Sequence, residues 1–447
     1  MENKRYNGGD FIMKRMKKVG ARYIKGVVVA VGMLPCAMAI NMTASSTVTS
    51  GYLEMPDYLD GSMMPIRLDH DESLREIGGD TLTPIFVNYL GRHGARYLSS
   101  EKKIEKLRGF LTEAKKAGQL TPHGEAFMEL LQKVESTTDG NWGALDLLGI
   151  EEQMALARQM YALFPDLLET GKIEAVATYV PRVVMSMYEF CHELGQLSPN
   201  LEIYTSAGRQ NSAELRYFSV NPRYEDYLKN GIWKEILRRY EEKNVPEAPA
   251  GRLVKKGYAT EGRHMRVMTL DMYGVLQSLR ATGMGTPDTR WMTEDEYAAC
   301  WRADNLAHFL SRTANSLSSE PGKAAAPLLM SFISSGDSVN AGHNGDKRGM
   351  LRFAHAETLM PLFSLMKIPG CWSDSRDYDR IYEYWRDYDI VPLGANLIVA
   401  MLRGEAGEVY AAMRLNGEWI SPCGDGRKLV RWEELKHVWL SSLAALS

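Results

Sequence analysis

The chain has 447 residues, of which 45% are hydrophobic and 24% charged, with a formal net charge of −3. This balance is ordinary for a globular protein and excludes a disordered, collagen-like or coiled-coil chain. The length suits one large domain with an insertion, or two domains.

Near the N-terminus, Lys14, Arg15, Lys17, Lys18, Arg22 and Lys25 form a basic run. An apolar stretch, Gly26–Met38, follows and ends in Ala37-Met38-Ala39. The pattern predicts a signal peptide over residues 1–39, and so an exported protein, periplasmic or secreted. The apolar stretch is short for a membrane span, so no stable membrane partner is expected. An uncleaved anchor is the alternative reading. Lipidation at Cys36 is a further one, disfavoured by Pro35, and Met13 is a second candidate start. Cleavage removes eight basic and two acidic residues, leaving 45 basic against 54 acidic, a net −9. A nucleic-acid partner would favour the opposite sign. Cys191, Cys300, Cys371 and Cys423 follow the leader. An exported chain permits disulfides, and four cysteines allow three pairings, between which the sequence does not choose. None of them has zinc spacing, so no metal site is expected.

Further along, Pro84–Leu90 reads as a buried strand and Glu101–Lys116 as an amphipathic helix. Thr121 is placed to cap a helix with Pro122 at its first position. Glu151–Leu168 is another helix, Val176–Tyr179 a strand, Arg182–Leu194 a helix and Glu202–Ser206 a strand. Residues 224–325 change character. They are helix-rich, charged and aromatic, and read as a helical insertion that covers a site, between two parts of an α/β domain at 40–223 and 326–447. Strands are expected at Leu328–Ile333 and Met350–Ala354. A hairpin follows, with Glu408–Leu415 joined through Asn416-Gly417 to Glu418–Ile420. Strands alternating with helices predict an α/β sheet, with the site at the carboxyl ends of its strands.

Three segments fall at such ends. The first is Arg92-His93-Gly94-Ala95-Arg96, after the strand Pro84–Leu90. Two guanidiniums can hold phosphoryl oxygens, the glycine lets backbone approach an anion, and the imidazole between them can attack phosphorus. The second is His355-Ala356-Glu357, after Met350–Ala354. His355 could donate to a phosphoryl oxygen, and Glu357 could act as a proton donor, although acids are common in first helical turns. The third is Arg182, at a strand-to-helix junction after Pro181. Lys347 and Arg348, in a Gly-rich loop leading into the strand that bears His355, are further pocket candidates. Arg263, His264 and Arg266 in the insertion are similar candidates. The remaining histidines, His308 among them, read as ordinary structural residues.

These motifs resemble the histidine phosphatases of the acid phosphatase branch, most closely the multiple inositol polyphosphate phosphatases. The Arg-His-Gly-x-Arg signature stands at 92–96, and the His-Ala-Glu of that branch at 355–357. The likeness runs from about residue 80 to the C-terminal hairpin and takes in Ser212–Phe218. One departure is Leu98, where the family often has proline. The resemblance implies a phosphoglycerate-mutase-like sheet flanked by helices, with an inserted, mainly helical domain. It also implies hydrolysis of inositol hexakisphosphate and lower inositol phosphates through a phosphohistidine on His93. Glu357 would be the acid, with Arg92, Arg96, Arg182 and His355 on the phosphoryl oxygens, and no cofactor would be needed. A broad acid or sugar phosphatase is the alternative, and a non-catalytic phosphate-binding protein a further one.

Overall fold

The strand Thr83–Arg92 (β1) carries alternate side chains to two opposite cores. Phe86 and Leu90 pack on one side, and Val87 and Tyr89 on the other. A strand buried on both faces belongs in the middle of a sheet. In the computed structural model, which describes residues 52–68, 73–78, 81–258 and 263–446, β1 lies there. Around it run Gly171–Ala177 (β2), Leu201–Ala207 (β3), Lys347–Ala354 (β4), Asn396–Arg403 (β5), Val409–Leu415 (β6) and Glu418–Ile420 (β7). The sheet order is β3-β2-β4-β1-β5-β6-β7, and Leu429–Arg431 (β8) also pairs with β6. Strands β1 to β4 are mutually parallel, and from β5 onward the pairing is antiparallel. The carboxyl ends of the four parallel strands therefore share one edge.

Helices cover both faces. On one face lie Leu147–Leu163 (α3) and Pro181–Leu197 (α4), around an aromatic cluster of Tyr89, Phe190 and Phe353 with centroids 5.1–5.5 Å apart. The other face meets Lys102–Lys116 (α1), Pro122–Thr138 (α2) and the helices between β3 and β4. Those helices are Pro222–Asn230 (α5), Trp233–Asn244 (α6), Arg263–Leu276 (α7), Glu294–Arg312 (α8) and Glu320–Asn340 (α9). Ala356–Leu365 (α10) and Trp432–Ala444 (α11) complete that side. Residues of α8 such as Trp301 and Phe309 share one core with Phe86 and Leu90 of the sheet.

Local rules account for several boundaries. The Thr121 side chain accepts from the Gly124 amide and Pro122 opens α2, as the cap pattern predicts. Asn416 and Gly417 have φ of 48° and 97°, the left-handed pair that a two-residue hairpin needs. Three expectations change, and one question left open by the sequence, the state of the cysteines, is answered. Leu328–Ile333 is not a strand but part of α9, where Ala325, Leu328, Leu329, Phe332, Ile333 and Gly336 bury one stripe at helical spacing. A short, mostly apolar run such as this one, broken only by Ser331, is ambiguous in isolation, and only its flanks reveal the period. The expected helix Glu151–Leu168 starts earlier, at Asp146, whose side chain accepts from Gly149, and breaks at Phe164-Pro165. The strand expected at Val176–Tyr179 instead spans β2, and ends before Thr178. The four cysteines are free thiols, three of them buried. The expected leader, 1–39, lies outside the described residues. Among the described residues no helix is long and apolar enough to cross a membrane.

The loop after β1 is fixed by a backbone contact. A Cβ on Gly94 would stand 2.4 Å from the Gly149 carbonyl oxygen, and one on Gly149 would stand 2.2 Å from that of Ala95. Only two glycines allow the loop and α3 to approach this closely. Gly94→Ala is therefore expected to cost about 1–3 kcal/mol of stability, the usual range for overpacking. By contrast, Gly109→Ala, on α1 with nothing within 4 Å, should gain up to about 1 kcal/mol. Urea unfolding of both variants checks the contrast. Equal effects would show that the contact does not constrain the fold.

Candidate active site

The parallel strands deliver their loops to the same place. β1 supplies Arg92 to Arg96, β2 supplies Thr178 to Arg182, β3 leads to Arg209 and Arg216, and β4 supplies His355 and Glu357. Adjacent pairing of β1 and β4 puts Arg92 opposite Ala354, and the His93 amide donates to the Ala354 carbonyl at 3.2 Å. The two motifs, about 260 residues apart in the chain, thus meet because their strands are neighbours. The His93 and His355 ring centroids are 5.7 Å apart.

Both imidazole tautomers follow from their partners. His93 Nδ1 lies 2.9 Å from the Gly94 carbonyl oxygen, which can only accept. Nδ1 therefore carries the hydrogen, and Nε2 keeps the lone pair. His355 Nδ1 lies 3.5 Å from Arg182 Nη2, which can only donate, and its Nε2 lies 3.2 Å from Thr178 Oγ1. Nε2–H then donates to the threonine. Both ring nitrogens of His355 are engaged by protein groups. In this arrangement His355 contacts Arg182 and Thr178.

The guanidiniums crowd together. Arg92 is 3% exposed. Its Nη1 donates to the Ser62 carbonyl at 2.6 Å and to the Val391 carbonyl. Arg96 donates to its neighbour's carbonyl, at Tyr97. The Nε groups of Arg92, Arg96 and Arg182 are buried and make no hydrogen bond. Burial lowers all three, helped by Arg182 for Arg92 and Arg96 and by Arg216 for Arg182, with Arg92 at about 10 and Arg96 at about 9. His93 is held well below the ordinary imidazole range, by burial first and then by Arg182, Arg92 and Arg96. Burial also lowers His355 to about 3, against the pull of Glu357. Burial alone would raise Glu357. Arg312 and the other positive groups around it outweigh that, and hold it below the usual carboxylate range. At neutral pH the site therefore holds two neutral imidazoles, several guanidiniums and an ionised carboxylate.

Several of these residues carry no signal in the sequence. Arg312 ends α8, and its Nη1 is buried without a partner. Arg216 donates to the Tyr179 hydroxyl at 2.7 Å and leaves its own Nε unpartnered. Both guanidiniums lie over the Phe218 ring, at 5.2 and 5.9 Å, and that ring lies 5.6 Å from His355. Arg209, which is exposed, lies 4.5 Å over the Tyr179 ring. Glu152 of α3 is buried, accepts from the Ala95 amide at 2.6 Å and is pushed up to about 8 by burial. It pins the loop between the two arginines. For Arg216 a hint existed in the segment Ser212–Phe218. For Arg312 and Glu152 only the fold reveals the role.

Lys347 and Arg348 are not brought to the site. They open β4, whereas His355 follows its far end, about 20 Å or more away at the rise of a strand. Lys347 pairs with Glu174 at 2.6 Å, and Arg348 donates to the Thr170 carbonyl. Their loop enters the strand from the end opposite the chemistry. In the helical stretch, His264 packs its ring beside Phe110, and Arg266 pairs with Glu247.

No family model matches the chain. Among solved structures it is similar to the Bifidobacterium longum multiple inositol polyphosphate phosphatase in complex with inositol hexasulfate. That match has 16% identity and a TM-score of 0.71, over 85% of this chain and 97% of the other. The same enzyme in complex with phosphate gives a TM-score of 0.68 at the same identity and coverage. The phytase from D. castellii gives 0.66 at 16% identity, over 87% of this chain and 85% of the other. The chain therefore has the fold of the histidine acid phosphatases, a mixed α/β sheet flanked by helices, as its sequence motifs predict.

Proposed function

We propose that this protein is a phosphomonoesterase acting on inositol polyphosphates through a phosphohistidine on His93. One observation carries the reading. Arg92, Arg96, Arg182, Arg216 and Arg312 surround two neutral histidines, and each keeps a buried N–H that no protein group accepts. Leaving buried donors unpaired costs free energy, so such a set is retained where an anion with many oxygens completes it.

The neutral His93, with its lone pair on Nε2, attacks phosphorus. The N–P bond forms as the P–O ester bond breaks, and the arginines hold the equatorial oxygens. The leaving alkoxide takes a proton from the Glu357 carboxyl. Water then attacks the phosphohistidine and passes a proton to the Glu357 carboxylate, and inorganic phosphate leaves with the N–P bond broken. Glu357 is ionised before substrate arrives. The negative charge of a phosphate group bound beside it opposes the field of Arg312 and its neighbours that keeps it so. It can then accept the proton that a monoanionic ester brings in acidic solution, which favours activity extending to acidic pH. The substrate class draws support from the outer guanidiniums of Arg209 and Arg216 on Tyr179. They extend the positive surface beyond the reacting phosphoryl group, where a polyphosphate carries further charge. A simple aryl ester would leave Arg209 idle. The neighbouring structure's complex with inositol hexasulfate supports the same class.

Three outcomes follow. Acid quench after mixing with a radioactive phosphate ester should trap label on the protein, and His93→Ala should abolish both label and turnover; label surviving in the variant would move the nucleophile elsewhere. Glu357→Gln should lower kcat on inositol hexakisphosphate by about 100-fold, the usual contribution of a general acid. On p-nitrophenyl phosphate, whose leaving group needs no proton, the loss of phosphoenzyme formation should be much smaller. Equal losses on both esters would remove Glu357 from the role of acid. Arg209→Ala should reduce kcat/KM on inositol hexakisphosphate by about tenfold, the scale of one charge-assisted contact, and leave the aryl ester unchanged. A wild-type preference for the aryl ester would instead favour a broad acid phosphatase.

A further inference from the structure

The two carbonyls that hold Arg92 are both tied to one buried residue, Asp387, the first through its carboxylate and the second through its backbone. Asp387 is 0% exposed. Its Oδ2 accepts from the Ser62 amide at 3.2 Å, and its backbone carbonyl accepts from the Val391 amide at 2.8 Å. Ser62 and Val391 are the residues whose carbonyl oxygens receive Arg92 Nη1. Trp301 Nε1 donates to Asp387 Oδ1 at 3.1 Å, and His308 Nδ1 lies 2.9 Å from Oδ2. Gly61, with φ 57°, brings the Ser62 segment against this carboxylate. A Cβ there would stand 3.2 Å from Asp387 Oδ2.

We propose that Asp387 and the protonated His308 form a clamp that positions Arg92 for the phosphoryl group, and that loss of the His308 proton loosens it. The inference rests on the phosphomonoesterase reading of the site, and names positioning residues for it. Asp304, His308 and Asp387 bring donor atoms within 4.8 Å of one another, a set that could hold a cation. The two oxygens of Asp387 already accept three N–H groups, however, so a proton on His308 fits the cluster better than a metal ion. The groups facing His308 set the sign of its response. Asp304, one turn earlier on α8, and Asp387 favour the charged ring; Arg312, one turn later, and burial oppose it. Tyr273 of α7 faces Asp304 and Asp387 through a buried, un-ionised hydroxyl that donates to the Leu59 carbonyl. Asp60 is occupied by Arg280 and Tyr297. The two carboxylates prevail, and His308 holds its proton above the ordinary imidazole value. A raised value means that the clamp is complete in acid and comes apart as pH rises through the shifted value.

Isothermal titration of the full chain with inorganic phosphate tests this at about pH 5 and about pH 9, on either side of the imidazole range. Hydrolysis of p-nitrophenyl phosphate is measured in parallel. At the lower pH, His308→Ala should bind phosphate about tenfold more weakly than wild type, the scale of one charge-assisted hydrogen bond. His308→Asn, which keeps a donor near the Nδ1 position but carries no charge, should recover only part of that loss, and its affinity relative to His308→Ala should not change between the two pH values. At the higher pH the gap should close, because the wild type has lost its proton as well. A gap of the same size at both values, or none at either, overturns the clamp. Thermal midpoints at each pH identify a variant that binds poorly because it is unfolded, and His308→Asn then decides the matter. Wild type that binds phosphate with the expected gap but cleaves no ester would keep the clamp and overturn the phosphatase reading. Cleavage with a pH-independent gap would do the reverse, and neither binding nor cleavage would overturn both.

Discussion

Mutual repulsion among buried guanidiniums is the constraint on which this structure depends. Burial lowers Arg92, Arg96 and Arg182; the charge of Arg182 adds to it for the first two, and that of Arg216 for Arg182. Such a group persists only where the fold holds it by force of geometry. The sheet supplies that force. β1 fixes Arg92 and β4 fixes His355 at adjacent strand ends, and α3 pins the intervening loop through Glu152 and the Gly94–Gly149 contact. The packed cores on both faces leave those strand ends nowhere to relax. Stability stored in the sheet is thus spent on holding like charges together, which is how an anion site remains ready before its anion arrives.

Much of this was legible in the sequence where chemistry and local geometry coincide. Arg92, His93 and Arg96 lie within five residues, and the strand before them announces itself by its β-branched and aromatic residues. Gly94 had a legible chemical role, but its partner Gly149 did not. That contact is between backbones, and nothing in either segment encodes the other. Arg312 and Asp387 were illegible for a related reason. Each reaches the site across a helix or loop packed by tertiary contacts, and an arginine at a helix end or an aspartate in a loop has many commoner explanations. β5 went unrecognised because burial on both faces removes the alternation that identifies a strand. Part of α9 was mistaken for a strand for the converse reason, since its short run Leu328–Ile333 is apolar except for Ser331. Lys347 and Arg348 misled because a basic Gly-rich loop beside a functional strand carries no mark of which end of that strand it occupies.

The histidines show how one field sets several protonation states. Positive charge and burial act together on His93, so it stays neutral and nucleophilic over a wide acidic range. The same two influences oppose each other on Glu357, and the charge prevails. On His308 burial and Arg312 oppose the carboxylates, and the carboxylates prevail. Three titratable groups within one region are thereby driven to different states by the balance of the same terms.

That balance has a consequence for the catalytic cycle proposed above. The field that keeps His93 neutral also keeps Glu357 ionised, which is the wrong state for an acid but the right one for a base. A phosphate dianion among the arginines opposes with its own charge the influence of Arg312 and the other positive groups on Glu357, while burial continues to raise it. The substrate therefore converts the carboxylate into an acid by arriving. Once the alkoxide has taken the proton and departed, the carboxylate is regenerated beside a phosphohistidine that carries less negative charge than the ester did. The arginine field then acts on Glu357 again and holds it ionised for the attack of water. A single set of fixed charges can in this way drive both halves of the reaction, because the charge of the bound group changes between them.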